Sequence, residues 1–143
     1  SNPNSKMSKS FDEDEGGVVG LLDEEKNIVK TIKRAVTDSG NDIIFSDNPE
    51  KAGVNNLLGI YKVITGKSST ESEKDFENAK GYGVLKESVA EMVIDVIKPI
   101  RKKYDEYISD PTELDRLLDI GAENASLISE PKVIEMKRKM GFI

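Results

Sequence analysis

The sequence predicts an all-α fold: a helical bundle of five to six helices, preceded by a flexible loop and a short extended segment. Three observations carry this. From Glu24 onward apolar residues recur every three or four positions. Asp or Thr followed three residues later by an acid marks helix starts. Nowhere do apolar strands alternate with helical stretches as a parallel α/β fold requires.

From Ser1 to Gly17 no apolar period supports a helix or a strand. Val18, Val19, Leu21 and Leu22 form a short apolar run, expected to be extended and buried. Asp23 is the expected N-cap of a helix over 24–37, with Glu24 and Glu25 in its first turn, where acids suit the helix dipole. Ile28, Ile32, Ala35 and Val36 make its apolar stripe, and Gly40 ends it. The stretch NDIIFSDNPEKAG reads as an irregular connection. Leu57, Ile60, Tyr61 and Ile64 mark a second helix over 54–65, stopped by Gly66. Thr70 with Glu73 resembles a capping box for a short helix reaching about Lys80.

Gly81–Gly83 then break the chain, with Tyr82 between them read as an anchor of the turn rather than a base-stacking aromatic. The longest helix is predicted over 84–108, kinked near 95–98 by Pro99. Asp110, Pro111 and Glu113 supply N-cap, N1 proline and N3 acid for the next helix. Its predicted core stripe is Leu114, Leu117, Leu118, Gly121, Ala122, Ala125 and Ile128, whose small members suggest close approach of a neighbouring helix. Pro131 is expected to restart a last helix carrying Val133, Ile134 and Met140, capped by Gly141. Two segments follow from this reading: 1–22, a loop with the edge of a further domain that the resemblance below implies to be catalytic, and 23–143, a helical domain.

Composition removes whole classes of chemistry. With no Cys and no His among 143 residues, disulfides, thiolate metal sites and every Ser-His or Cys-His mechanism are excluded within this chain. Catalysis must draw on Lys, Arg, carboxylates, hydroxyls or backbone dipoles. No apolar run approaches membrane-spanning length, and the amino end lacks the apolar core of a signal peptide. Net charge is −6, from 21 basic and 27 acidic side chains, so phosphate binding requires local patches rather than overall charge. The acidic run Asp12–Glu15 lacks the spacing of a calcium loop and reads as solvated surface, a counter-charge to nearby lysines; no metal site is expected.

The stretch SKMSKS carries the sharpest chemical signal. Lys6 and Lys9, on a segment that cannot pack, either belong to a solvated tail or follow a negative charge that grows during a reaction. The polyphosphate of ATP suits the second role: ammonium groups are compact point charges, Ser8 and Ser10 add hydroxyl donors, and phosphoryl chemistry of this kind needs no histidine.

KMSKS is the signature loop of class I aminoacyl-tRNA synthetases. It is followed here by RAVTDSG (34–40), GVNNLLGIY (53–61), KGYGVLKESVAE (80–91), KPIRKKY (98–104), GAENA (121–125) and a closing MGF. In that order these motifs resemble the C-terminal part of bacterial-type tryptophanyl-tRNA synthetases, over essentially the whole chain. The resemblance implies activation of tryptophan by ATP, with magnesium, and transfer to tRNA(Trp). It implies Lys9 and Lys6 as catalytic charges on the leaving pyrophosphate, and Lys6, Met7, Ser8, Lys9 and Ser10 as the ATP-binding loop. It also implies that the helical domain reads the anticodon, in a cytoplasmic enzyme that dimerises through a domain absent here. The nucleotide-binding half of the family has no counterpart in this sequence. The chain is therefore expected to be an excised or proteolysed piece, monomeric and inactive alone.

Two basic clusters are candidates for tRNA contact: Arg101, Lys102 and Lys103 beside Lys98, and Lys137 and Arg138 beside Lys132 and Lys139. Either cluster also suits the negative end of a helix dipole. A non-enzymatic helical module that binds RNA or protein is the competing reading.

Overall fold

The computed structural model describes residues 18–143, which carry five α-helices: α1 (Glu25–Lys33), α2 (Ala52–Thr65), α3 (Ser69–Lys74), α4 (Tyr82–Ser109) and α5 (Pro111–Lys139). A 3-10 turn, Pro49–Lys51, leads into α2. No strand occurs among the described residues, and the all-α class read from the sequence is the one observed. The KMSKS loop and the acidic run lie outside the described residues. The chain divides into two compact units, the first ending at Arg101 and the second beginning at Lys102.

The first unit holds the buried core. Ile28 and Ile32 come from α1, Val54, Leu57 and Leu58 from α2, and Leu85 and Val89 from α4; Val54, Leu58, Leu85 and Val89 are completely shielded from solvent. Each such aliphatic side chain contributes about 1.5–3 kcal/mol relative to exposure. Tyr61 and Phe76 extend the core edge to face, with ring centroids 4.8 Å apart. Gly66 stops α2 as expected: at φ 70° it takes the left-handed conformation in which a side chain is strained, and its N–H bonds the Lys62 carbonyl.

Several local expectations are corrected. Residues 20–23 form a turn, closed by Asp23 N–H to Gly20 O at 3.2 Å and by Gly20 N–H to the Asp23 carboxylate at 2.8 Å. Leu21 and Leu22 therefore point outward, 57% and 49% exposed, instead of lying in a buried extended segment. Because the Asp23 carboxylate is occupied there, Glu24 is the N-cap of α1, without a side-chain cap bond. That helix ends at Lys33, short of the predicted Thr37. The Lys86 ammonium takes the Ala35 carbonyl at 2.7 Å, and the chain then leaves helical geometry to pass over α2.

The capping box of α3 uses Ser68 and Glu71, two residues before the predicted pair. Thr70 and Glu73 fit the same pattern, but the Glu73 carboxylate is engaged by the Phe45 N–H, 28 residues away. The helix also closes at Lys74 instead of Lys80, and α4 begins at Tyr82, two residues early.

In the second unit, α5 starts as predicted: the Asp110 carboxylate accepts Glu113 N–H at 3.1 Å, and Pro111 fills the first turn. Pro131 does not restart a helix, for α5 continues through it to Lys139. Proline has no N–H to donate, so the Leu127 carbonyl four residues back gives up its helical partner there. The predicted core stripe is not a core. No α5 residue is buried, Leu118 and Ile128 are 62% and 80% exposed, and nothing lies within 4 Å of a Cβ placed on Gly121. The end is capped as expected, with Phe142 N–H on Lys137 O at 3.0 Å and Gly141 N–H on Arg138 O at 3.1 Å.

Candidate functional site

The most constrained polar region of the first unit is the irregular segment between α1 and α2. Regular structure leaves its backbone groups unpaired, and side chains from distant positions pair them instead. Glu73 accepts from Phe45 N–H at 2.8 Å. Asn55 accepts from Ser46 N–H at 3.0 Å and donates to Ser46 O at 2.6 Å. Lys51 donates to Asp42 O at 2.9 Å.

Tyr82 is the hub. Its buried hydroxyl donates to Asp38 Oδ1 at 2.7 Å and accepts from Lys51 Nζ at 2.7 Å, so the expectation of an anchoring role holds. Asp38 Oδ1 also accepts Gly40 N–H at 2.6 Å; its buried Oδ2 makes no hydrogen bond among the described residues and has Lys51 Nζ as ionic neighbour at 3.4 Å. The carboxyl titrates below the ordinary aspartate range, chiefly because of the Tyr82 hydrogen bond, while burial raises the tyrosine. Lys51 is raised, first by its bond to Tyr82. Beside this triad a groove of about 400 Å³ runs between Val36–Ser39 and the start of α2. Gly53 forms its floor, with the Val36 carbonyl resting where a Cβ would stand.

A second cluster closes α3. Asp75 accepts from Lys67 Nζ and, at 2.6 Å, from the Tyr61 hydroxyl. Its carboxyl is held below the ordinary range, first by Lys67 and then by Tyr61. A folded-state pKa below the unfolded value of about 3.9 stabilises the fold fully above that value and ceases to do so as pH falls through the folded pKa. Thermal stability is therefore expected to be flat from pH 7 to about 5 and to decline below about 4. An Asp75→Asn variant, whose amide still accepts from Tyr61, is expected to show a shallower acid decline in melts followed by circular dichroism. An unchanged slope would remove Asp75 from the account.

The sequence-predicted tRNA candidates fall in different settings. Lys98 lies 3.9 Å from Glu25, and Arg101 donates to Asp23 O at 3.0 Å, tying α4 to the turn before α1. Lys102 and Lys103 both face Glu106, at 4.0 and 2.9 Å. Lys132 and Lys139 share Glu135. Lys137 and Arg138 make no ion pair among the described residues. Asp38, Lys51 and Glu73 were not foreseen as site residues. Only Tyr82, isolated between glycines, gave a signal, because its partners lie 31 and 44 positions away. Among the described residues no group of acidic side chains is arranged to hold a metal ion. No helix among them is long and apolar enough to cross a membrane.

Comparison with known proteins gives these features a family. Residues 1–98, which include the KMSKS stretch, match the model for class I tRNA synthetases of the W and Y group, and the chain belongs to that family. Within it the similarity is to the tryptophan branch. The tryptophan--tRNA ligases of Oceanobacillus iheyensis and Corynebacterium efficiens are each 45% identical to it, over 98% and 99% of this chain. The chain spans only 42% and 40% of their lengths. Among solved structures, tryptophanyl-tRNA synthetase from Mycoplasma pneumoniae superposes with a TM-score of 0.78 at 27% identity, over 98% of this chain and 42% of that one. The Campylobacter jejuni tryptophanyl-tRNA synthetase gives 0.69 at 30% identity, over 96% of this chain and 41% of the other.

Proposed function

We propose that this chain is the portion of a cytoplasmic tryptophan–tRNA ligase that carries the KMSKS loop and a helical tRNA-binding domain. The supporting observation is the family match across residues 1–98, with KMSKS inside it and tryptophan enzymes as the relatives. In this reading ATP, as its magnesium complex, and tryptophan are substrates. Lys9 and Lys6 meet the charge that accumulates on the pyrophosphate as the tryptophan carboxylate attacks the α-phosphate. Met7, Ser8 and Ser10 complete the loop's contacts with ATP. Charge stabilisation of that kind requires no general base, in keeping with a sequence that lacks histidine.

Among the basic side chains expected to meet tRNA, the engagement of Arg101 with Asp23 and of Lys102 and Lys103 with Glu106 leaves Lys137 and Arg138 as the stronger candidates. The complete ligase is a homodimer through its nucleotide-binding part, and this piece alone is a monomer. The test is tryptophan-dependent exchange of labelled pyrophosphate into ATP. The chain alone is expected to show none, and addition of the nucleotide-binding portion of a relative as a separate polypeptide is expected to restore it. Exchange by the chain alone, or none after complementation by a portion that restores exchange to the relative's own helical half, would overturn the assignment.

A further inference from the structure

Along α1, Lys30, Lys33 and Arg34 occupy positions i, i+3 and i+4, side by side on the face opposite the buried Ile28 and Ile32. All three are exposed, and none makes an ion pair or side-chain hydrogen bond among the described residues. A helix C-terminus ordinarily accounts for such residues, since cations offset the dipole and reach the last carbonyls. Here that role is already filled. The Lys86 ammonium, from α4, sits on the Ala35 carbonyl at 2.7 Å and 3.5 Å from that of Lys33. Four cations therefore crowd one helix end where one serves it. Lys33 and Lys86 line a hollow of about 460 Å³ with Gly83 and Glu87, a single carboxylate. Elsewhere the exposed lysines are mostly matched to acids: Lys26 to Glu24, Lys102 and Lys103 to Glu106, Lys132 and Lys139 to Glu135. An unneutralised cluster in a chain of net charge −6 is suited to an external polyanion.

We propose that the Lys30–Lys33–Arg34 face of α1 is a docking surface for the sugar-phosphate backbone of tRNA, with the Lys33–Lys86 hollow receiving a phosphate. The proposal rests on the reading of the chain as a tRNA-binding part of a synthetase, and adds to Lys137 and Arg138 a surface of the first unit that takes part in the binding. Side chains one helical turn apart leave the helix about 5–6 Å from one another at Cβ, so their flexible cationic ends can follow successive phosphates of one strand. Contacts of this kind position the RNA without reading its bases.

The test uses the 143-residue chain and a tRNA(Trp) transcript, with binding measured from about 50 to 200 mM salt. The Lys30→Ala/Lys33→Ala/Arg34→Ala variant is expected to bind at least about tenfold more weakly and to lose roughly two to three units from the slope of log affinity against log salt. A charge-matched control, Lys62→Ala/Lys67→Ala/Arg116→Ala, removes cations already held by Ser69, Asp75 and Glu113 and is expected to stay within about twofold. Circular dichroism confirms folding of both. Affinity and slope unchanged in the α1 variant, or equal losses in the two variants, would overturn the surface while leaving the synthetase reading intact. A parent chain that does not bind the transcript even at low salt would overturn the tRNA-binding reading itself, and the surface with it.

Discussion

Alanine at position 53 is expected to destabilise the first unit by about 2–4 kcal/mol, although the same exchange inside a helix normally stabilises. Replacing glycine in an exposed helix interior gains up to about 1 kcal/mol, because the unfolded chain loses freedom. At Gly53 that gain is outweighed. The new Cβ would fall on the Val36 carbonyl, a backbone atom of the segment laid across the first turn of α2, and close to the Thr37 backbone. Backbone cannot rotate aside as a flexible side chain can, so either α2 or residues 36–40 must move. Movement there strains the Asp38–Tyr82–Lys51 network. The measurement is thermal or urea unfolding, with a fall of roughly 10 °C expected for a loss of this size. Gly59 supplies the internal control. It lies in the same helix with nothing within 4 Å of its Cβ position, so Gly59→Ala is expected to be neutral or stabilising by up to about 1 kcal/mol. If the two substitutions behave alike, the close crossing at Val36 is not a constraint on the fold.

In the complete ligase, Lys9→Ala is expected to lower the rate of tryptophan activation by about 10²–10³-fold, the loss typical of removing one preorganised donor to a developing anion. The affinity for tryptophan is expected to change little, because in the proposed role the ammonium meets charge that is small in the ground state and grows as pyrophosphate leaves. Single-turnover kinetics with saturating ATP separate the two quantities. A variant with unchanged activation rate but weaker tryptophan binding would place Lys9 in substrate recognition. Lys6→Ala is expected to act in the same direction with a smaller loss, as befits an assisting charge. This expectation follows from the KMSKS resemblance together with the family match.

Local chemistry was readable wherever a few neighbouring residues decide the outcome. The stop at Gly66, the start of α5 at Asp110–Pro111–Glu113 and the stop at Gly141 each depend on contacts within six residues, and each was foreseen. The two candidate boxes near α3 show the limit. Ser68–Glu71 and Thr70–Glu73 are equally good patterns, and the choice was made by Phe45, whose N–H claims the Glu73 carboxylate. The early end of α1 has the same origin, in a lysine 51 residues away. On α5 the period was correct and the burial was not. An apolar stripe at helical spacing marks a face without saying whether anything covers it, and no α5 residue is buried.

By itself, then, the amino-acid order determined the all-α class, the helix ends at Gly66, Asp110 and Gly141, the exclusion of histidine and cysteine chemistry, and the synthetase resemblance carried by KMSKS and the motifs behind it. The tertiary structure decided which carboxylate caps and which one reaches across the fold, where α1 stops, and which lysines are spent on internal carbonyls and acids. The physical reason is one of range. Capping and periodicity are set by neighbours a turn or two away, whereas the pairing of a buried or irregular backbone group is won by whichever side chain the fold brings within 3 Å.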